Sequence, residues 1–289
     1  MPFMSPARPP SGRVDPQGAP WPGLIPLRPL SVGEIFGASA RLVRTHAGVL
    51  CSIALLGSLV SAAGVVGVLT ALPDDSAYFT DSWMVSVGSG RIAYPPAAVL
   101  WPLAIGGIIG LVTTIAVSGL ATALAADDAL GRPTSAGAAF ARLKGRWLVL
   151  LAVAVMVGAL VFAGILAFIV PGLLLLAAFA LATPVAVIER AAPTLALRRS
   201  AQLSAGLRAR ILGVAALSYL IASVVGGLIV LTIPPASTIG GEIIVLLVQA
   251  LVSSVTVPWT AGVVALLYVD TRIRKENLAA SLIRASMRG

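Results

Sequence analysis

The chain reads as an all-α polytopic membrane protein: six transmembrane helices, with amphipathic helices lying at the cytoplasmic interface. Three observations lead there. Of 289 residues 58% are hydrophobic and only 11% charged, with a mean hydropathy of +1.00, whereas soluble domains carry about 25% charged residues. A domain this long still leaves most of its surface in water, so a soluble fold has no core to hold such an excess. The apolar residues also come in long unbroken runs, not in the short alternating strands of a barrel. Finally, the Lys and Arg residues fall almost wholly on alternate connections between those runs.

Residues 1–28 carry a proline every few positions and no apolar periodicity. Such a stretch cannot offset its ordering entropy by burial, so a disordered Pro-rich cytoplasmic tail is expected. With no apolar run ahead of a small-residue cleavage site, it does not read as a signal peptide. The membrane domain is expected over 29–276, followed by a polar, basic cytoplasmic tail over 277–289.

Pro29-Leu30-Ser31 opens the first amphipathic helix, and Ser31 with Glu34 has capping-box spacing. At 100° per residue Ile35, Phe36, Leu42, Val43 and Leu50 share one face, opposite Glu34, Arg41, Arg44 and Thr45. That pattern suits a helix lying in the headgroup layer. His46, the one histidine, is expected to be a junction residue with a local hydrogen bond, although its ring would also suit a pH sensor.

The spans are expected at about 48–72, 97–126, 147–169, 173–188, 211–233 and 243–269. In the first, Gly57/Ser61 and Ala63/Gly67 recur at four-residue spacing, and the second holds Gly106 and Gly110; small residues at this spacing let helices approach closely in lipid. Between these two spans lies the longest loop, 73–96. It is acidic through Asp74, Asp75 and Asp81, with aromatic rings suited to the interface. A second amphipathic helix is expected from Pro133-Thr134-Ser135 to Arg146, with Phe140, Leu143 and Trp147 on one stripe. Spans three and four form a hairpin about a Val170-Pro171-Gly172 turn. Pro184 is expected to kink the fourth span near its cytoplasmic end, and Pro193-Thr194 opens a third basic segment. Three times, then, a Pro-led basic helix feeds a span whose successor returns to the same side.

Orientation follows from the loops. With the N-terminus inside, residues 1–47, 126–146, 189–210 and 270–289 hold 19 Lys and Arg, and the outer loops hold one, Arg91. Burying one such charge at a helix centre costs about 2.5–3.5 kcal/mol. Both termini are therefore expected in the cytoplasm of a bacterial cell, with the protein multi-pass in the inner membrane. The formal charge of +9 is read as this topology and not as nucleic-acid binding, since no basic and aromatic groove pattern accompanies it.

Chemistry-bearing residues are scarce. Ionisable groups inside spans are the usual functional pointers in membrane proteins, and these spans hold none in their interiors. With one Cys (Cys51, expected buried and inert) and one His, metal, disulfide and most hydrolase chemistries lack parts. No catalytic residue, metal ligand or cofactor is therefore expected. Gln249 and Ser253 lie four apart in the sixth span and would suit a polar pocket or an interhelical hydrogen bond.

Three stretches carry a family resemblance: RPLSVGEIFGASARLVRTH, VPGLLLLAAFALATPVAVIERAAPTLALRRSAQLSAG and LLYVDTRIRKENL. Over about residues 27–280 the chain resembles the bacterial glycerophosphoryl diester phosphodiesterase membrane-domain family and related six-span proteins. The resemblance implies a six-helix membrane module. In the namesake enzymes the activity belongs to a separate soluble barrel, for which this chain has no room and no His or Glu cluster, so the enzymatic name is not expected to transfer.

The functional expectation is a non-catalytic scaffold or accessory protein of membrane or envelope homeostasis. Its partners would be membrane lipids with anionic headgroups, and other membrane proteins. The residues expected on those headgroups are Arg41, Arg44, Arg142, Lys144, Arg146, Arg198, Arg199, Arg208, Arg210, Arg272, Arg274 and Lys275. The alternative is a transporter or lipid-handling permease with a cavity between the helix-pair repeats.

Overall fold

A computed structural model describes residues 28–71, 97–129, 135–234 and 238–276. The tail before residue 28, the acidic loop 73–96, Pro133-Thr134 and the tail from residue 277 lie outside the described residues. Within them every regular element is helical: α1 Val32–Thr45, α2 Ala47–Ala71, α3 Ala97–Ala129, α4 Ala136–Leu143, α5 Trp147–Ala167, α6 Ile169–Phe179, α7 Ala182–Ile188, α8 Pro193–Ser204, α9 Arg208–Val230 and α10 Ile239–Glu276. Six of the stretches these helices form, α6 and α7 counting as one, are long and apolar enough to cross a membrane. Their outer surfaces carry bare hydrocarbon, with Leu148 80% and Leu166 71% exposed. Water would penalise such a surface and lipid does not. The chain is an integral, polytopic membrane protein.

Two compact units divide the chain. The first takes residues up to Leu50, then Ile115–Leu220 and the chain from Pro258; the second takes Cys51–Thr114 and Ile221–Val257.

In the first unit, α1 begins as its sequence expects. The Ser31 hydroxyl accepts from the Glu34 amide at 3.2 Å, and the Glu34 carboxylate accepts from the Ser31 amide at 2.7 Å. The Ser31 backbone bond, reinforced by its hydroxyl and by Arg28, holds the Glu34 carboxyl below its ordinary value. The apolar face of α1 does not wait for lipid, however. Leu30, Ile35, Ala38 and Leu42 are fully covered by the protein. Ser39 donates to the Trp259 carbonyl at 2.6 Å, and Phe36 tilts against the Trp259 ring at 5.4 Å. Gly262 makes this approach possible, because a Cβ there would lie 2.5 Å from the Ser39 hydroxyl.

The joint recurs three times as expected: α1 into α2 at His46, α4 into α5 through Gly145, and α8 into α9 through Gly206. Gly145 and Gly206 both adopt left-handed backbone, the usual way to end a helix. The end of α7 uses Arg190 in that conformation (φ 52°), where a side chain costs about 1–2 kcal/mol.

The hairpin differs from its expected form. Its break falls at Phe168, which is extended, and Pro171 and Gly172 lie inside the first turn of α6. A first-turn residue has no intrahelical acceptor for its N–H, so proline is tolerated there. Gly172 instead serves contact: a Cβ on it would lie 2.8 Å from the Ile165 nitrogen, and one on Gly164 would lie 2.9 Å from the Gly172 Cα. The fourth span therefore starts at Ile169, not 173. It breaks between α6 and α7, as Pro184 requires: that proline offers no N–H to the Ala180 carbonyl and its ring crowds it. Nearby, the Ala178 carbonyl accepts from the hydroxyls of Ser200 (2.7 Å) and Ser204 (3.3 Å).

In the second unit, α2 and α3 pack through small residues. A Cβ on Gly57 would lie 2.1 Å from the Thr113 hydroxyl, one on Gly64 would lie 2.9 Å from Ile105, and Ser61 donates to the Gly106 carbonyl at 3.2 Å. Residues 57, 61 and 64 share a helix face. The expected Ala63/Gly67 pair points outward instead.

The hairpin contact gives a direct test. Gly172→Ala should lower the thermal midpoint in detergent by the equivalent of about 1–3 kcal/mol. Gly158→Ala, where a Cβ meets nothing within 4 Å, should leave it unchanged or slightly raised. Equal effects of the two would contradict the packing described here.

Candidate functional site

Two polar assemblies stand out, one in each unit. The first unit gathers its charges around the C-terminal turns of α10. Asp270, 1% exposed, accepts from the Leu30 amide at 2.7 Å and from the guanidinium groups of Arg210 (3.3 Å) and Arg274 (2.9 Å). The same two arginines donate to the Leu30 carbonyl, at 2.6 and 3.0 Å. Both backbone groups of one residue ahead of α1 are thus held by α9 and α10. Only a carboxylate between two guanidiniums can accept from an amide and orient two donors toward a carbonyl at once.

Beside it, Glu189 accepts from the Tyr268 hydroxyl at 2.9 Å and from Arg199 at 3.1 Å. Arg199 also pairs with Glu276, which accepts from Arg272 at 2.8 Å. Burial works against the charge on Arg199, but the bonds and charges of Glu276 and Glu189 outweigh it and hold the guanidinium above its ordinary value. Lys275 donates to the Gln202 carbonyl at 2.8 Å. These four charged groups balance, two acids against two arginines, and each is about a quarter exposed. Partly solvated pairs of this kind contribute little singly; the fully buried Asp270 matters more.

Two further pairs join α3 to its neighbours. His46 Nε2 lies 2.9 Å from the Asp128 carboxylate, and Arg142 lies 2.8 Å from Asp127. His46 thus has a partner 82 residues away, not the local one the sequence suggested. Among the described residues Arg146 has no acid: it donates to the carbonyls of Ala186 (3.3 Å) and Ala191 (2.7 Å), and its Nε is buried without a partner there. Cys51 is half-buried, not fully buried.

The twelve basic residues singled out from sequence therefore divide. Arg142, Arg146, Arg199, Arg210, Arg272, Arg274 and Lys275 bind the protein itself. Arg41, Arg44, Lys144, Arg198 and Arg208 are exposed. Among the described residues Arg44, Lys144, Arg198 and Arg208 form no ion pair. Sequence reasoning missed the acids. Asp127, Asp128, Glu189, Asp270 and Glu276 received no role there. The four-residue spacing of Asp270 with Arg274 and of Arg272 with Glu276 was a signal that could have found two of these pairs; the contacts to Arg210 and Arg199, 60 and 77 residues away, leave no such trace.

The second assembly is a cleft of about 210 Å³ in the second unit. Gln249 and Ser253 both line it, together with Ser58, Ser61, Thr113 and Thr114. Gln249 makes no interhelical hydrogen bond among the described residues. Four of these hydroxyls escaped notice because single serines and threonines in a span usually bond their own helix.

Comparison with family models, curated proteins and solved structures finds no match to this chain.

Asp270→Asn keeps the shape but removes the charge between Arg210 and Arg274. Removing one partner of a buried pair costs about 3–5 kcal/mol, and the partial exposure of the arginines sets the expectation at the lower end. The expected outcome is a clear fall in thermal midpoint and faster hydrogen exchange at the Leu30 amide, which Asp270 holds. Wild-type exchange at Leu30 would contradict the clamp.

Proposed function

We propose that this membrane protein is a non-catalytic scaffold or accessory factor of membrane and envelope homeostasis, and that it rests a basic face on anionic lipid headgroups. On this reading the charged ends of the helices face the cytoplasm of a bacterial cell, the protein sits in the inner membrane, and both termini are cytoplasmic. The family reading stays with the glycerophosphoryl diester phosphodiesterase membrane-domain proteins, on the residues quoted above.

One observation carries the proposal. Among the described residues, contacts within the protein engage every acid at the charged end of the first unit, and exposed cations remain. Arg44, Lys144, Arg198 and Arg208 come from four different helices or joints and have no acid of their own. A surplus of fixed positive charge beside a bilayer draws anionic lipid, at about 1 kcal/mol for each Lys or Arg near the surface. Arg41 lies on the same exposed face of α1 as Arg44 and extends this surface. The division also narrows the lipid-facing set: the seven residues engaged within the protein hold the fold, and Arg41, Arg44, Lys144, Arg198 and Arg208 meet the headgroups.

The test neutralises the free set. The combined Arg44→Gln, Lys144→Gln, Arg198→Gln and Arg208→Gln variant, reconstituted in mixed vesicles, should lose at least tenfold of its preference for phosphatidylglycerol over phosphatidylcholine. The preference is read by quenching of the native tryptophans by brominated lipids. Arg272→Gln should disturb thermal stability more than lipid preference. An unchanged preference in the combined variant would sink the proposal.

A further inference from the structure

We propose that the cleft of the second unit binds the uncharged polar head of a membrane-dissolved lipid, one carrying a hydroxyl together with an ester or amide carbonyl. This goes beyond the basic face and rests on different residues.

Depth comes first. Gln249 lies ten residues into α10 from Ile239, about 15 Å at 1.5 Å per residue. Ser58 and Ser61 fall near the middle of α2, and Thr113 and Thr114 near the middle of α3. The cleft therefore opens at the level of the hydrocarbon, where water is scarce and an unmet polar group is costly.

Satisfaction comes second. The Ser61 hydroxyl donates to the Gly106 carbonyl and the Thr113 hydroxyl to the Ile109 carbonyl at 2.9 Å. Both oxygens are left as acceptors. Ser58, Thr114, Ser253 and the Gln249 carboxamide have no hydrogen-bond partner among the described residues, so donors and acceptors converge unmet on one hollow. Such groups call for a partner. A ligand bearing both a hydroxyl and a carbonyl answers the two kinds together.

Charge comes third. Among the described residues no Asp, Glu, Lys, Arg or His lines the cleft. An ionic head brought to this depth would arrive unpaired and pay its full desolvation cost. An alcohol or ester head would not. Shape agrees: a Cβ on Gly110 would meet nothing within 4 Å, so the floor is open. The cleft, about 210 Å³, leaves room for a compact head, with acyl chains left outside.

The experiment uses the full chain in nanodiscs and three photoreactive probes with identical acyl chains: a diacylglycerol, the matching phosphatidic acid and the matching hydrocarbon. Crosslinked peptides are mapped by mass spectrometry. The expected result is saturable diacylglycerol labelling within residues 105–114 and 246–257. That labelling should be displaced by unlabelled diacylglycerol and fall at least tenfold in Gly110→Ile, which fills the hollow, and in Gln249→Leu. Thr114→Val, nearly isosteric and exposed, should reduce it at least threefold; it carries the test if the larger changes fail to accumulate. Equal labelling by phosphatidic acid or by the hydrocarbon would overturn the proposal. So would labelling that survives Gly110→Ile. A dimer that dissociates in Gln249→Leu while labelling stays unchanged would assign the carboxamide to a second copy instead.

Discussion

The carboxylate of Asp270 lies almost wholly out of solvent where three distant lengths of chain meet. It accepts from the backbone ahead of α1 and orients arginines from α9 and α10. A membrane protein gains little from apolar burial between its helices, because lipid tails solvate leucine as well as another helix does. What fixes such helices is close contact and hydrogen bonding. This chain places those forces unevenly: glycine and serine contacts along the spans, and a dense ionic clamp at their charged ends. The spans exclude ions from their interiors, so the charges must collect at helix ends. Once collected, the acids among them can hold the ends together.

Much of this was legible in the sequence. Apolar runs and their lack of charge gave all six spans to within a few residues at most ends. The capping box at Ser31 and Glu34 formed as spaced. Pro184 broke the fourth span where its missing N–H required it. The hairpin turn was misplaced because Pro171 and Gly172 look like a turn; a proline in the first helical turn and a glycine at a close approach leave the same letters. The apolar face of α1 was assigned to headgroups because periodicity shows that a face is apolar, not what covers it. Here Gly262 opens the slot that covers it.

The two candidate sites were legible to different degrees. The arginines announced themselves by number and sidedness. Their sorting into clamp and free surface depends on Asp127, Glu189, Asp270 and Glu276: the Arg272–Glu276 and Asp270–Arg274 pairs lie four residues apart and were open to reading, whereas Arg210 and Arg199 reach Asp270 and Glu276 from 60 and 77 residues away. Gln249 and Ser253 were visible as an i, i+4 pair. Ser58, Ser61, Thr113 and Thr114 joined them only through the folding of α2 and α3 against α10 within the second unit. A polar hollow between helices can be composed of residues that are individually ordinary.

The two assemblies suggest a division of labour. On the proposed readings the charged ends would address headgroups, and the neutral hollow what is dissolved between the leaflets. Both depend on which way the charged ends face, so sidedness is the most direct measurement. In a Cys51→Ala background, single cysteines at Phe140, 45% exposed, and at the exposed Ala205 report on two separate joints. A membrane-impermeant maleimide should label both in inverted vesicles and neither in intact spheroplasts. Labelling of either position from outside the spheroplast would contradict the account.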